Sequence, residues 1–73
     1  MEKYLIKIDM YTEKNKGGKL STYYLKGNSG SKVSIGGIAL AKTYLNKRCA
    51  EKVCEKLKGI YSKDYVFVSV VTI

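Results

Sequence analysis

Lysine is the residue type in this chain that is best suited to bind a partner. The 73 residues carry 14 Lys and Arg against 6 Asp and Glu, a formal net charge of +8 at pH 7. Such a charge favours an anionic partner, either nucleic acid or an acidic protein surface. Phosphate-contacting cations are predicted in a flexible glycine-containing region and along one side of a helix: Lys14, Lys16, Lys19, Lys26, Arg48, Lys52 and Lys56.

The type of cation limits the kind of recognition. Arg48 is the only arginine, and bidentate contacts to phosphates and to guanine favour arginine over lysine. The composition therefore favours contact with the phosphate backbone over sequence-specific base reading. Two alternatives stay open: the loop lysines are ordinary solvent-exposed residues, and the helix cations form a solvated face beside Glu51 and Glu55.

Aromatic residues could contribute to binding in two ways. On a sheet face, rings can stack on bases while neighbouring lysines contact phosphates. The candidates, if the strand register turns them outward, are Lys7, Tyr24, Lys26, Tyr65 and Phe67. A protein interface would instead use tyrosine anchors, and the candidates for it are Tyr11, Tyr23 and Tyr24. That these rings fill the core or a dimer interface also stays open.

Catalytic and metal-binding chemistry is not favoured. The chain has no histidine, and its carboxylates form no persuasive acid/base pair. Cys49 and Cys54 lie on one predicted helix and point in different directions, so they cannot form a disulfide with each other. Two cysteines without histidine also fall short of a zinc site, and GNSGSK at residues 27–32 lacks the spacing of a phosphate-binding loop. The sequence predicts a protein that is not an enzyme and has no metal or cofactor.

The strands that position these residues follow from periodicity. Residues 3–11 alternate with the two-residue period of a half-buried strand. A long, flexible, lysine-tipped loop at 12–19 and a second β-favouring run at 20–26 complete a hairpin. Residues 65–73 are the most strongly β segment, and their apolar character on both faces argues against a free sheet edge. A further short strand near 33–35 is left open.

One main helix is predicted over about 46–58. Asn46 is a good N-cap residue, and Gly59 is a natural C-terminal stop. Apolar residues recur at i, i+3, i+4 and i+7, which predicts a buried stripe of Ala50, Val53, Cys54 and Leu57.

These elements predict a single α+β domain spanning residues 1–73. Its layout is β-β-α-β, with a small antiparallel sheet in the order two, one, three and the helix on one face. No apolar run approaches the roughly 20 residues of a membrane span. Residues 1–10 alternate apolar and charged side chains, unlike a signal peptide. A soluble cytoplasmic protein with no membrane partner is therefore expected, and a homodimer is left open as a way to stabilise so small a core.

Three segments carry a resemblance to known proteins: YYLKG at 23–27, ALAKTY at 39–44 and AEKVCEKLKG at 50–59. With them the chain resembles small uncharacterised accessory proteins that phages and mobile elements of low-GC Gram-positive bacteria encode. The resemblance implies a hairpin-helix-strand scaffold that binds host or phage machinery, and it transfers no functional residue.

Two functional hypotheses result. The leading hypothesis is a non-enzymatic phage or mobile-element accessory protein whose basic surface engages nucleic acid or a nucleoprotein complex. The alternative is a small inhibitor that binds a host protein directly, for example an acidic component of a bacterial defence system such as CRISPR-Cas.

Overall fold

The computed structural model of the protein describes residues 2–29, 32–61 and 63–73. Their regular elements, in chain order, are β1 (Tyr4–Glu13), β2 (Gly17–Ser29), β3 (Lys32–Gly36), a 3-10 turn (Ile38–Leu40), α1 (Lys47–Ile60) and β4 (Val66–Thr72). Among the described residues, no helix has the length and apolar character needed to cross a membrane.

The strands form one antiparallel sheet in the order β3-β2-β1-β4. The α+β prediction, an antiparallel sheet with one helix, is confirmed. The predicted β-β-α-β layout and its order two, one, three differ from the structure in detail. Residues 32–36, which the sequence left open as a short strand, pair with β2 and add an outer strand. They can do so because β2 continues to Ser29 and offers them a partner.

The β1–β2 connection is a tight turn, so the prediction of a long flexible loop at 12–19 is wrong. β1 runs to Glu13 and β2 begins at Gly17. Asn15 and Lys16 between them have φ angles of 58° and 61°, in the left-handed region that matches the twist of a hairpin. Asparagine tolerates this conformation well, whereas lysine adopts it less readily. The turn fixes the direction in which Lys16 leaves the sheet.

Alternate residues of the strands build the core against α1. Ile6 and Ile8 of β1 are fully buried beside Leu25 of β2 and Val68 of β4. The helix contributes the predicted stripe: Ala50, Cys54 and Leu57 are buried, and Val53 packs against the same cluster. Burial of each large aliphatic side chain stabilises the fold by about 1.5–3 kcal/mol.

The helix begins where the sequence predicts and ends later. The side chain of Asn46 accepts a hydrogen bond from the Arg48 backbone N–H at 2.8 Å, which caps the first turn. Gly59 does not end the helix, because α1 continues to Ile60. The Tyr61 N–H closes the last turn on the Leu57 carbonyl at 3.1 Å, so no left-handed glycine is needed there.

β4 is an outer strand of the sheet in the single chain, whereas the apolar character of residues 65–73 predicts a strand without a free edge. β4 pairs with β1 on one side, and no strand among residues 2–29, 32–61 and 63–73 pairs with its other side. The helix lies against one face of β4, and its Cys54 Sγ donates to the Val68 carbonyl on this side of the strand at 3.6 Å. Two predicted turns, at 27–32 and 62–64, fall partly outside the described residues, since 30, 31 and 62 are not described.

Candidate nucleic-acid interface

The sheet has a second face that α1 does not cover, here termed the open face. Side chains alternate between the two faces of a strand, and the even-numbered residues of β1 pack in the core. The register therefore assigns to the open face the odd-numbered residues of β1 and β4 and the even-numbered residues of β2. Those used below are Lys7, Asp9, Tyr11, Thr22, Tyr24, Lys26 and Phe67. Leu5 belongs to the same face by alternation but is buried.

An aromatic pair with a cation lies at one end of the open face. The rings of Tyr11 and Phe67 meet edge to face, with centroids 5.6 Å apart and planes at 84°. The Lys16 Nζ lies 5.0 Å from the Phe67 ring centroid, within the range of a cation–π contact. The Asn15 N–H donates to the Asp64 carbonyl at 3.2 Å, which ties the hairpin turn to the residues before β4. This hydrogen bond holds the turn in a position where Lys16 lies over the ring of Phe67 in β4.

A polar cluster lies in the middle of the open face. Lys7 and Tyr24 are direct cross-strand neighbours. The Lys7 Nζ lies 3.8 Å from the Asp9 carboxylate, and the Thr22 hydroxyl donates to the same carboxylate at 2.9 Å. Asp9 thus places a negative charge next to the lysines and rings of this surface, and Lys7 offsets that charge.

Lys26 extends the open face toward β3. Gly36 is the register partner of Tyr24, so a side chain at position 36 would lie on the same face as Tyr24. A Cβ built on Gly36 would come within 2.8 Å of the Lys26 Cδ. The aliphatic part of Lys26 therefore lies over Gly36, and its exposed side chain adds a cation next to Tyr24.

The predicted phosphate-contacting cations are divided between separate surfaces. Lys16 and Lys26 belong to the open face, as shown above. Lys14 and Lys19 are exposed at the hairpin, where the register between β1 and β2 shifts and strand alternation assigns neither of them to a face. The remaining three lie exposed on α1, across the sheet from the open face: Arg48, Lys52 and Lys56. One flat ligand on one face of the sheet cannot contact both groups at once.

The predicted tyrosine anchors are also divided. Tyr11 and Tyr24 lie on the open face, whereas Tyr23 packs against the core cluster beneath α1. Tyr65, in the turn before β4, is 37% exposed. No single surface contains Tyr11, Tyr23 and Tyr24 together.

The remaining titratable groups show no arrangement for catalysis among the described residues. Burial raises the pKa of the Cys54 thiol, whose Sγ donates to the Val68 carbonyl at 3.6 Å. Cys49 is exposed. Burial also raises the pKa of Tyr44, whose hydroxyl is buried without a hydrogen-bond partner. Within the described part of the chain, no group of three or more Cys, Asp and Glu residues could hold a metal ion.

Sequence reasoning missed the roles of Asp9 and Thr22 in this interface. The alternation of residues 3–11 assigns Lys7 and Asp9 to one face, so a signal for that ion pair was present. The contact of Lys16 with Phe67 had no local signal, because it depends on the turn conformation and on the pairing of β1 with β4.

Comparison with known proteins identifies no relative. No protein-family model, no curated protein and no solved structure matches this chain.

Proposed function

We propose that the protein binds single-stranded nucleic acid, alone or within a nucleoprotein complex, through the open face of its sheet, without catalysing a reaction. The observation that carries this proposal is the placement of Lys16 over Phe67, next to Tyr11. Rings and cations on one sheet face are the combination that single-stranded nucleic acid requires, because bases stack on the rings and phosphates attract the cations.

The geometry of the open face supports this proposal further. Phe67 and Tyr24 are both half-buried, so each ring is anchored yet retains an accessible part. Lys7, Lys16 and Lys26 lie near these rings and can reach phosphates on either side of a stacked base. Stacking on one aromatic side chain contributes about 1–3 kcal/mol per base. Lysines supply the backbone attraction without reading a particular sequence.

The helix surface supports the same function less well. Its cations Arg48, Lys52 and Lys56 alternate with Glu51 and Glu55 along α1, and the Lys58 Nζ pairs with Glu55 at 3.3 Å. The carboxylates offset part of the positive charge there. A solvated helix face therefore accounts for these cations, and the open face is the better candidate for the ligand.

Two charge-matched variants test this assignment. One replaces Lys7, Lys16 and Lys26 with Gln, and the other replaces Arg48, Lys52 and Lys56 with Gln, so each removes three positive charges. Binding to a labelled single-stranded DNA or RNA is followed by fluorescence anisotropy between about 50 and 200 mM salt. The open-face variant should lose affinity and flatten the slope of log K against log salt by about 2, at about 0.7 per lost phosphate contact.

A ring variant separates stacking from charge. Phe67→Leu keeps an apolar side chain and the net charge but removes the ring, and it should weaken binding about tenfold at both salt concentrations. Equal losses in the two charge variants would assign binding to overall charge and overturn the open-face site. No binding at the lower salt concentration would overturn the function itself.

In its biological context, we propose an accessory protein of a phage or mobile element. A second function, inhibition of a host protein by direct contact, is favoured by one observation. The segment between β3 and α1 exposes Ile38, Leu40 and Leu45 at 58%, 64% and 66%, and exposed apolar side chains in one segment suit a protein interface. Such binding should persist at high salt and should weaken in an Ile38→Ser/Leu40→Ser variant, which leaves the charge unchanged.

A further inference from the structure

The outer edge of β4 pairs with no strand among the described residues. One of its backbone groups, the Val68 carbonyl, accepts a hydrogen bond from the Cys54 Sγ of α1 at 3.6 Å. The Tyr11 N–H donates to the Tyr65 carbonyl at 2.8 Å, and the Ile73 N–H donates to the Lys3 carbonyl at 2.9 Å. These hydrogen bonds show that the odd-numbered residues of β4 point their backbone groups toward β1. In an antiparallel pair, consecutive residues point their backbone groups to opposite sides. The residues of β4 that face away from β1 are therefore Val66, Val68, Val70 and Thr72.

The two outer strands of the sheet differ in how they are protected. β3 has five residues, begins with Lys32, ends with Gly36, and its register with β2 is shifted by an irregularity. Short length, a lysine and an irregular ladder are devices that prevent edge-to-edge pairing. β4 has seven residues, none charged and none proline, and its register with β1 is regular throughout. The β4 edge is therefore suited to accept another strand.

Charges beside β4 are arranged so that they complement a second copy of the same edge. Cys54 of α1 contacts the Val68 carbonyl, and a groove between helix and strand is lined by Glu51, Glu55, Lys58 and Val70 among others. A neighbouring groove at the Val66 end is lined by Lys58 and Lys63. Lys63 thus lies toward Val66 and Glu51 toward Val70, whereas Lys58 lines both grooves and pairs with Glu55 of the same chain at 3.3 Å.

A twofold axis brings the opposite ends of this arrangement together. With two copies of β4 antiparallel and the axis at Val68, Val66 of one copy lies opposite Val70 of the other. Lys63 of one copy then lies toward Glu51 of the second copy. The net charge of +8 on each chain opposes association, and this pairing of opposite charges reduces that repulsion at the seam.

We propose that the protein forms a homodimer in which β4 pairs antiparallel with β4 of a second copy around Val68. The two four-stranded sheets join into one continuous sheet, and the valines on the helix side of β4 are covered by their counterparts. Such an interface is isologous, as twofold symmetry requires. The inference does not depend on nucleic-acid binding.

The unmodified protein provides the first test. Sedimentation equilibrium should show a concentration-dependent monomer–dimer equilibrium. Amide hydrogen exchange at Val66, Val68 and Val70 should be slow at high protein concentration and should become faster on dilution, because these N–H groups have a partner strand only in the dimer. A monomer at all attainable concentrations would overturn the proposal.

A charge swap tests the identity of the partner. Lys63→Glu places like charges across the seam and should weaken dimerisation about fivefold, as should Glu51→Lys. The double variant Lys63→Glu/Glu51→Lys restores opposite charges across the twofold axis and should recover most of the lost affinity. Both residues are exposed, and circular dichroism checks that the fold is retained. If neither single variant changes the dimerisation constant, the dimer forms through another surface, and the proposed interface is overturned.

Proline at Val70 tests the backbone pairing itself. The Val70 N–H faces away from β1, so proline removes a hydrogen bond to the second copy and none to β1. Val70→Pro should yield a folded monomer. If this variant does not fold, the charge swap still decides the proposal.

Discussion

The two faces of the sheet are built from the same strands and have opposite character. The covered face consists of apolar side chains such as Ile6, Ile8 and Val68, all buried against α1. The open face interleaves rings with charged side chains, as Phe67 and Lys16 illustrate. Because neighbouring residues of a strand point to opposite faces, fold and binding surface are encoded in alternate positions. Substitutions on the covered face should therefore unfold the protein, and substitutions on the open face should change binding.

The largest expected effect is on the covered face. Leu57 is fully buried in the core cluster, so Leu57→Ala should lower the free energy of unfolding by about 2–5 kcal/mol. Urea denaturation followed by circular dichroism measures this loss. Lys56→Ala, at the exposed neighbouring position, is the control and should change stability by no more than about 0.5 kcal/mol. Similar losses in both variants would contradict the packing of α1 on this face.

A smaller effect on the covered face depends on pH. Burial raises the pKa of Cys54 in the folded state, so folding favours the protonated thiol. Its contribution to stability is complete below the ordinary pKa of a thiol and is lost as the pH rises through the raised folded value. Urea unfolding at neutral pH and at about pH 10 should show a larger loss for the wild type than for Cys54→Ala.

The exposed cysteine provides the control for this pH effect. Cys49→Ala should lose as much stability at high pH as the wild type does, since that thiol is exposed. All other side chains are the same in the three proteins, so the comparison isolates the substituted thiol. A Cys54→Ala variant with the full wild-type loss would show that Cys54 is not the group responsible.

The next effect concerns the open face and changes affinity more than stability. Asp9→Asn removes a carboxylate that would repel phosphates and releases Lys7 from its ion pair. Affinity for single-stranded nucleic acid should rise about threefold to tenfold at low salt, and the unfolding free energy should change by less than about 1 kcal/mol. Glu55→Gln makes the same charge change on α1 and should leave affinity nearly unaltered. An equal rise in both variants would point to net charge and away from the open face.

The covered face could be predicted from the sequence because burial imposes a strict pattern. Alternation in residues 3–11 and the spacing of Ala50, Cys54 and Leu57 report the apolar side chains that the core requires. The β4 edge could not be predicted. An apolar run such as residues 66–72 has the same sequence pattern whether the strand lies between two other strands or at the edge of the sheet in the monomer.

The candidate site was predictable only in part. Lysines and aromatic residues indicate a binding surface through their types, and Lys26, Tyr24 and Phe67 are expected on a sheet face. Their separation from Arg48 and its neighbours on α1 depends on which face the helix covers, which no local pattern encodes. Whether the two groups of cations act together or apart is therefore a question of tertiary structure, and it remains a prediction to be tested by the charge-matched variants.

The smallest expected effect tests how Lys26 is held on the open face. An added Cβ at Gly36 would meet the Lys26 Cδ at 2.8 Å, whereas one at Gly37 would have no atom within 4 Å. Gly37→Ala should therefore stabilise the fold by about 0.4–1 kcal/mol, because alanine restricts the unfolded chain. Gly36→Ala should stabilise the fold by a smaller amount, since the Lys26 side chain must move aside. Urea denaturation of both variants measures this difference, and anisotropy should show about a twofold loss of affinity for Gly36→Ala alone. If the two variants have equal stability and affinity, the position of Lys26 over Gly36 does not matter for the open face, and its charge alone would account for any role in binding.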